Sequence, residues 1–562
     1  MNNNHLSWIV EYGSFSVMLG VSVVVGLYFG CVKSDGNTVN EYLLGGKNMA
    51  VFPIVMSLIA SHISGIMIIG VPTEVYCYGT SFLLGGAVDI VLVTIIFYIY
   101  LPVFYELQLT SVYEYLEHRF DTNIRGLASL IYAVSMILYI PIVIYMPALV
   151  LNQVAGINVH LITPIICAIC IFYTTVGGLK AVVWTDAIQS VFTAVSVIVI
   201  IGMALVEVGG FGPVIRANQD GDRIEFFKMD PDPFLRHSFW TISIGTAVHL
   251  IASVGVHPGS VQRFVALPTY EKAGKSLVYF ILGMAVYIDS SKNILPYFVV
   301  EIVGKFPGLT GLFISGIFSA ALSTMSAQLN TVSGTIYEDF VVKTINVNVS
   351  ESTASVIMKC IAVIVGSVCL VLVMVVEKLP GILQLSKSMS GVTNGAIVSV
   401  FSLGICFPWS NSKGAMCGMI TSLVVTAWIV TGAQVAMINE ELKFVEKNYS
   451  IAGCPPNITF KNHTDYFSGL YRLNDDVYVS SNTWKIYTVS YLHYTTIGTV
   501  VGIVVGLAVS FLFPTDEQVD PKLLTFCVRK FMNSEYTETK GDQPDYRTRT
   551  EKYNPEIQDT KL

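Results

Sequence analysis

The amino-acid composition predicts an all-α polytopic membrane protein. Of the 562 residues, 53% are hydrophobic and only 13% are charged, whereas a soluble chain carries about 25% charged residues. Long runs with little or no charge recur along the chain, and a transmembrane helix needs about 20 mostly apolar residues. The formal net charge of −7 is modest and gives no indication of nucleic-acid binding. The sequence therefore predicts about 13 transmembrane helices in a lipid bilayer.

Each predicted helix corresponds to one of these apolar runs. The runs before the first long polar loop are 13–32, 48–73, 80–105, 126–179 and 187–206. The run 126–179 is long enough for two helices, which separate near Gly156–His160. The later runs are 237–262, 273–288, 306–332, 360–376, 388–412, 414–439 and 486–515. The first run has no small-residue cleavage site, so we expect it to remain as a helix rather than to be removed as a signal peptide.

The polar region 440–485 indicates how the protein is oriented in the plasma membrane. It contains three glycosylation sequons, at Asn448, Asn457 and Asn462, which favour an extracellular face. With about 13 helices, the N-terminus is then extracellular and the C-terminus is cytosolic. Basic residues of the predicted inner loops, Arg263 among them, agree with the positive-inside bias.

The polar tail 516–562 is predicted to be cytosolic and disordered. It ends in Thr560, Lys561 and Leu562. A free carboxylate with a hydroxyl residue two positions before a terminal leucine is what PDZ domains bind by strand addition. A chance terminus is an equally good interpretation of so short a pattern.

A stripe of polar residues runs through the otherwise apolar segment 311–340. Its members recur at steps of three or four residues and are Ser315, Ser319, Ser323, Ser326, Asn330 and Ser333. At this spacing they share one helix face, and unpaired polar groups that face lipid are costly. The stripe must therefore face another helix, a water-filled path or an ion.

Small and polar residues also occupy the middle of the segment SLIASHISGIMIIGVP, which begins at Ser57. They are Ala60, Ser61, His62, Ser64 and Gly65. This composition is typical of a discontinuous membrane helix, whose freed carbonyl groups can bind a cation. Close packing of two helices through small residues is the alternative. Together with the polar stripe, the segment favours an all-oxygen site, which suits a hard alkali cation.

Three stretches resemble the sodium/solute symporter family. They are TTVGGLKAVVWTDAIQ (174–189), the helix ending SAALSTMSAQLNTVSGTIYEDF, and GVPTEVYCYG after the first core helix. The stretch IPIVIYMPALVLNQVAG is most similar to the branch that carries monocarboxylates, multivitamins and iodide. The resemblance implies a LeuT-type fold, in which two inverted five-helix repeats, here 48–206 and 237–412, enclose a substrate site at the membrane midplane.

The resemblance also assigns the segments that flank the repeats. An extracellular N-terminus, one extra helix and a cytosolic loop occupy 1–47, an extracellular loop occupies 207–236, and two extra helices occupy 413–515. The family has a full span where this chain has a short apolar run, 273–288. That run would rise only about 24 Å, short of a hydrocarbon core of ~30 Å. We therefore expect a truncated span, which would weaken folding or transport.

The resemblance implies transport driven by a sodium gradient, with sodium as the co-transported ion. Carried over by position, the ligands of the family's main sodium site are the backbone carbonyls of Ala60, Ile63 and Ala320 and the hydroxyls of Ser323 and Thr324. A sodium ion held there would tie the broken helix to the opposite repeat. Its binding would thereby favour the outward-open state over the inward-open state.

Two acidic residues lie within predicted membrane helices. Asp186, in WTDAIQ, matches an acidic position that the family keeps at the inner end of this helix, which implies a place on the sodium exit path. Capping of a neighbouring helix or pairing with Lys180 is the alternative. Asp89 has no obvious partner, and an acid inside a membrane helix is a functional hypothesis by default.

The resemblance places five side chains around the substrate, namely His62, Met67, Tyr139, Tyr145 and His249. Either histidine can hydrogen-bond an anionic substrate such as a carboxylate, although a core histidine satisfied by the backbone is the alternative for each. The sugar carriers have an acid at the position of Gly86, which argues against a sugar. The iodide and vitamin carriers tend to have Gln at the position of Met67, so neither substrate follows.

The sequence thus predicts a sodium-coupled symporter of a small organic anion, with a monocarboxylate as the first candidate. A multivitamin or inorganic-anion carrier is an alternative on the same fold. A non-transporting sensor that changes conformation with sodium is another. A membrane enzyme is disfavoured, because the sequence has no HExxH motif, no GxSxG motif and no paired acids at the midplane.

Overall fold

The computed structural model describes residues 3–28, 39–290, 308–345, 350–377, 382–447, 470–474, 477–515 and 518–530. These residues form a helical bundle, as predicted, with one small sheet. Eight of the described helices are long and apolar enough to cross a membrane, and two further pairs of shorter helices do so together. Counting the 50-residue helix Val159–Val208 once, the described part of the chain therefore contains up to ten spans by length and composition.

The helices follow one another with short connections. The first are α1 (Asn3–Leu27), α2 (Val39–Leu44), α3 (Val51–His62), α4 (Gly65–Tyr78), α5 (Leu84–Ile95), α6 (Leu101–Leu107), α7 (Glu114–Arg119), α8 (Thr122–Ala155) and α9 (Val159–Val208). The next are α10 (Phe211–Asp220), α11 (Phe239–Leu250), α12 (Pro258–Val265), α13 (Tyr270–Ser290), α14 (Leu309–Ile336), α15 (Val342–Ile345), α16 (Glu351–Val376), α17 (Ile382–Cys406), α18 (Ser412–Ile438) and α19 (Tyr494–Leu512). Single π turns, at Ile96–Tyr100, Ile251–Gly255 and Tyr337–Val341, follow α5, α11 and α14.

Two of the membrane crossings are broken helices. The axes of α3 and α4 differ by 56°, and those of α11 with its π turn and α12 differ by 53°. At the first break Ile63 has φ −82° and ψ 85°, and Ser64 is extended. A break leaves the last carbonyls of one half without the N–H partners that a continuous helix supplies. The discontinuous helix predicted from the small residues is confirmed.

The long apolar run 126–179 divides where the sequence predicts. Helix α8 ends at Ala155, Gly156 is left-handed with φ 67°, and the Asn158 side chain caps α9. Helix α9 then has 50 residues, which is about 75 Å of rise, so it accounts for two predicted spans. Its backbone turns at Gly178, where a Cβ atom would lie 2.8 Å from the Tyr42 ring.

The span expected to be truncated, 273–288, corresponds to α13. This helix has 21 residues, which is about 32 Å of rise and matches a hydrocarbon core of ~30 Å. The helix extends beyond the apolar run because charged residues such as Glu271 and Asp289 continue it at its ends. It is not among the described helices that are long and apolar enough to cross a membrane, so the truncated span stays a prediction. The outer loop expected next would fall in 291–307, outside the described residues.

Helix α14, which carries the polar stripe, lies at the centre of the bundle. It packs against α9, α8, α1 and α3. Every member of the stripe is at most 1% exposed. The stripe therefore faces neighbouring helices and not lipid. A second packed group consists of α17, α18 and α19.

The polar region 440–485 contains the small sheet, which the all-helical prediction did not include. Strands β1 (Leu442–Phe444), β2 (Tyr471–Asn474) and β3 (Val477–Val479) are antiparallel in the order β1-β3-β2. The predicted sequons at Asn448, Asn457 and Asn462, and the terminal residues Thr560 to Leu562, lie outside the described residues.

The beginning of the tail is folded. The hydroxyl of Tyr115 donates a hydrogen bond of 2.9 Å to the carbonyl of Leu523, and the N–H of Thr525 donates one of 3.0 Å to the carbonyl of Ile405. Leu523 is 6% exposed. For residues 518–530 the prediction of disorder is wrong, because this polar-looking stretch buries apolar side chains against the helices.

Candidate functional site

Two hydroxyl groups of α14 meet the break between α3 and α4. Ser323 Oγ donates a hydrogen bond of 2.9 Å to the carbonyl of Ala60, and Thr324 Oγ1 lies 3.3 Å from the carbonyl of Ser61. Both hydroxyls also reach the carbonyl of Ala320 in their own helix, at 3.0 and 2.9 Å. We call these five oxygen atoms the oxygen cluster.

The oxygen cluster has the chemistry of a site for a monovalent cation. Its hydroxyls belong to side chains that are 0% and 1% exposed, and all of its atoms are neutral oxygens, the ligands that hard cations prefer. Divalent cations usually take carboxylates as well. The two α3 carbonyls are available because the break removes their helical partners. A cation would be held by these oxygens once the hydroxyl protons turn away.

Four of the five predicted sodium ligands are brought together in this way. They are Ala60, Ala320, Ser323 and Thr324. Ile63 lies at the break, and its N–H donates to the carbonyl of Ile59 at 2.8 Å. Among the described hydrogen bonds, the second α3 carbonyl that the α14 hydroxyls reach belongs to Ser61 and not to Ile63. Ser61 is not among the predicted ligands, because the family resemblance carries the α3 carbonyls over to Ala60 and Ile63 by position.

Asp186, the predicted exit-path residue, is completely buried. Its Oδ2 atom accepts hydrogen bonds from Ser57 Oγ at 2.7 Å and Arg263 Nη2 at 3.3 Å. Its Oδ1 atom accepts one from Ser326 Oγ at 3.3 Å. The ion-pair partner of Asp186 in the described part of the chain is thus Arg263, and the suggested pairing with Lys180 is wrong.

Arg263 joins this carboxylate to the broken helix. Its guanidinium donates to Ser57 Oγ at 2.8 Å, to Ser61 Oγ at 3.0 Å and to the Gly259 carbonyl at 2.8 Å. It is 2% exposed on α12, so its assignment to an exposed inner loop is wrong. Because the hydroxyl of Ser61 faces Arg263 while its carbonyl faces Thr324, Ser61 connects the ion pair directly to the oxygen cluster.

A central cavity lies beside the oxygen cluster, between the two broken helices. Its empty volume is about 1530 Å³, including its opening. Four of the five predicted substrate residues line it, namely His62, Met67, Tyr139 and His249. Tyr145 is not among the lining residues, so the structure does not bring it to this site.

The two predicted substrate histidines differ in their contacts. In His62 both ring nitrogens face backbone carbonyls, Nδ1 that of Leu58 at 2.8 Å and Nε2 that of Ser253 at 3.2 Å. A neutral imidazole has a single N–H and can donate to only one of these two carbonyls, so the backbone satisfies one ring nitrogen of His62. In His249, by contrast, Nε2 lies 3.0 Å from the ammonium nitrogen of Lys387, a side-chain contact inside the cavity.

Asp89 and Lys387 are charged residues of the cavity wall. Asp89 is predicted to be functional without a partner or a position, and the structure puts it at the cavity. Lys387 was missed because the predicted helix was taken to begin at 388, just after it, whereas α17 begins at Ile382. A lone lysine inside an apolar helix is the signal that could have found it.

Comparisons with known proteins agree with this architecture. The family model "Sodium:solute symporter family" matches residues 42–295 and 286–422. Sodium-coupled monocarboxylate transporter 1 of Xenopus laevis is 34% identical over 533 residues, which cover 89% of this chain and 85% of that protein. The sodium-dependent multivitamin transporter of Oryctolagus cuniculus is 31% identical over 530 residues, covering 90% and 82%.

A solved structure shows the same fold. The substrate-bound, outward-open structure of a Na⁺-coupled sialic acid symporter matches with a TM-score of 0.69 at 22% identity, covering 91% of this chain and 99% of that one. The predicted LeuT-type fold is confirmed by this match. The prediction of a multi-pass transporter rather than an enzyme is confirmed by the family match, as is that of sodium as the co-transported ion. The chain belongs to the sodium:solute symporter family.

Proposed function

We propose that this protein carries short monocarboxylates together with sodium across the plasma membrane by alternating access. The observation that carries the proposal is the oxygen cluster at the break of α3 and α4, which adjoins a cavity containing a lysine. Relatives named as monocarboxylate transporters share about a third of its residues over most of the chain.

The coupling of sodium transport to anion transport follows from the helices that supply the ligands of each solute. A sodium ion in the oxygen cluster would take ligands from α3 and from α14, so it would stabilise the state in which these helices are close. Ser61 belongs both to the oxygen cluster and to the cavity wall. Sodium and an anion in the cavity would therefore act on the same break, and each would shift the equilibrium between the two states by its differential affinity.

Uptake in oocytes that express the full chain tests the proposal. We expect sodium-dependent uptake of labelled lactate, pyruvate and nicotinate, with an accompanying current. Uptake of biotin alone would instead support a multivitamin carrier, the activity for which a relative is named. Sodium-dependent conformational change at the cell surface without uptake of any of these solutes would contradict symport and support a sensor.

The sodium assignment has a matched test on one face of α14. Ser323→Ala and Thr324→Ala each remove one hydroxyl of the oxygen cluster, so each should raise the half-saturating sodium concentration about tenfold. Ser319→Ala is the control, since this hydroxyl is equally buried one turn away and has no hydrogen-bond partner among the described residues. Unchanged sodium dependence in both variants would show that the oxygen cluster is not the sodium site.

We also propose an orientation of the protein in the plasma membrane. An extracellular N-terminus and a cytosolic C-terminus place the sequons Asn448, Asn457 and Asn462 outside the cell. Replacing all three by glutamine should then remove the glycosidase-sensitive mass. The terminal residues Thr560 to Leu562 would be accessible to a cytosolic PDZ domain, and a peptide of the last ten residues with and without Leu562 tests that partner.

A further inference from the structure

A lysine inside the membrane part of the protein has no role in the oxygen cluster. Lys387 lies on α17 within the span Ser386–Cys406 and is half-buried, with its exposed surface in the central cavity. An ammonium group at membrane depth is costly unless a partner compensates its charge. The partners that Lys387 has in the structure therefore indicate what else it is built to bind.

The hydrogen-bond partner of Lys387 is neutral. Its ammonium nitrogen lies 3.0 Å from His249 Nε2, and because an ammonium group can only donate, that ring nitrogen must carry the lone pair. The imidazole is then in its uncharged form. The hydrogen bond uses one of three ammonium N–H groups, and the other two have no hydrogen-bond partner among the described residues.

Asp89 is an acid that lines the same cavity as Lys387. However, no carboxylate oxygen of the described residues lies within 4.0 Å of the Lys387 ammonium nitrogen, the distance that defines an ion pair. The positive charge is thus balanced at a distance but not in contact. This leaves the contact position next to the ammonium group for an anion from solution.

We propose that Lys387 and His249 form the carboxylate-binding subsite of the central cavity, and that Asp89 restricts its occupant to a single negative charge. The inference rests on the proposed function and adds residues to it. The two remaining N–H groups of Lys387 can donate charge-assisted hydrogen bonds to one carboxylate. Met67, Phe280 and Met284 also line the cavity, which suits a short apolar tail.

The charge selectivity follows from counting the groups at the subsite. With Lys387 and Asp89 the empty subsite is neutral, and a bound monocarboxylate gives it one net negative charge. A dicarboxylate would add a second negative charge in the same cavity as Asp89, where like charges repel strongly because the surroundings are poorly solvated.

The first test removes the lysine charge in the full chain in oocytes. Lys387→Gln should raise the half-saturating lactate concentration at least about tenfold, since a charge-assisted hydrogen bond is lost. Lactamide, the neutral analogue, should inhibit wild-type uptake weakly, and the preference for lactate over lactamide should collapse in Lys387→Gln. Lys387→Arg should keep most of that preference. Lys272→Gln, an exposed lysine, is the matched control and should behave as wild type.

The second test uses Asp89→Asn, which keeps the shape of the side chain. Inhibition of lactate uptake by succinate should strengthen about tenfold in this variant, because one like-charge repulsion is removed. Inhibition by butyrate, which has the same chain length and one charge, should strengthen less than inhibition by succinate, because butyrate has one charge fewer to be repelled by Asp89. This readout depends only on a variant that retains lactate uptake, so it decides the role of Asp89 even if Lys387→Gln does not reach the surface.

The outcomes separate the inference from the proposed function. Wild-type protein without uptake of any monocarboxylate would overturn the proposed function. Wild-type uptake, together with an unchanged lactate-to-lactamide preference in Lys387→Gln, would overturn the lysine subsite alone. An unchanged succinate-to-butyrate ratio in Asp89→Asn would overturn the charge restriction. Sodium-induced thermal stabilisation of the purified variants should match wild type, because neither residue belongs to the oxygen cluster.

Discussion

Each half of the first broken helix contacts a buried arginine–carboxylate pair, but the surroundings of the two pairs differ. Beside α3, the pair of Asp186 and Arg263 is surrounded by the hydroxyls of Ser57, Ser61 and Ser326. These hydroxyls are small and rotatable, and Ser61 also belongs to the oxygen cluster. This pair, which we call the inner pair after the side that the proposed orientation makes cytosolic, is thus connected to the place where a cation would bind.

The pair on α4 is surrounded by rings. Arg236 Nη2 lies 2.7 Å from Glu74 Oε1, and its guanidinium carbon lies 4.0 Å from the centroid of Tyr78, 4.5 Å from that of Phe444 and 5.0 Å from that of Tyr491. Stacking on aromatic faces stabilises a cation without any exchangeable oxygen. We call this the outer pair, after the side that the proposed orientation makes extracellular. We expect it to hold the α4 end closed, while the inner pair can respond to an ion. The residues that surround a buried ion pair thus determine what the pair can do.

The largest effect should come from breaking the inner pair. Arg263→Gln leaves Asp186 buried without its cation, and removing one partner of such a pair destabilises by about 3–5 kcal/mol. The midpoint of thermal unfolding in detergent should fall accordingly. The double variant Arg263→Gln with Asp186→Asn should recover part of that stability, because no uncompensated charge remains. A double variant no more stable than Arg263→Gln would show that the pair is not coupled.

Breaking the outer pair should have a smaller effect on stability. In Arg236→Gln the Glu74 carboxylate keeps its contacts with Tyr491, at 3.1 Å, and with His237, at 3.2 Å, so we expect a loss of about 2 kcal/mol. The half-buried Cys77 lies nearby and should react faster with an impermeant maleimide applied from outside, because the α4 end opens. A Cys77→Ser background is the control, and an unchanged rate would contradict closure by this pair.

The smallest effects on stability should come from removing one hydroxyl group beside each pair. Ser326→Ala and Tyr491→Phe each remove one hydroxyl that donates to the carboxylate of its pair, and each should lower stability by about 1.5 kcal/mol. Only Ser326→Ala should also raise the half-saturating sodium concentration, by a few fold, since Ser326 adjoins the oxygen cluster. Equal sodium dependence in the two variants would show that the inner pair does not act on sodium binding.

The parts of the site that depend on local pattern could be predicted from the sequence. The spacing of hydroxyls in α14 and the small residues around Ala60 are local features, so the stripe and the broken helix were found. The assignment of Ser323 and Thr324 to sodium came from the resemblance, and the structure places both at the carbonyl of the break. That they bind sodium remains a prediction.

The long-range partners could not be predicted in this way. Asp186 and Arg263 are separated by 77 residues, and no periodicity connects them, so the sequence predicts a loop position for Arg263 and offers Lys180 only as one alternative partner of Asp186. Lys387 was overlooked for a different reason. The predicted helix was cut at its first charge-free residue, which removed Lys387 from α17.

The packing of residues 518–530 has a practical consequence for reporter fusions. Arg529 forms an ion pair of 2.7 Å with Glu106, and Leu523 and Thr525 are bound to the ends of other helices. A fluorescent protein joined directly after Pro514 would replace residues 518–530 and remove their contacts with the helices. Its signal would then come from a transporter with altered packing. Joining it after Lys530 would keep these contacts intact.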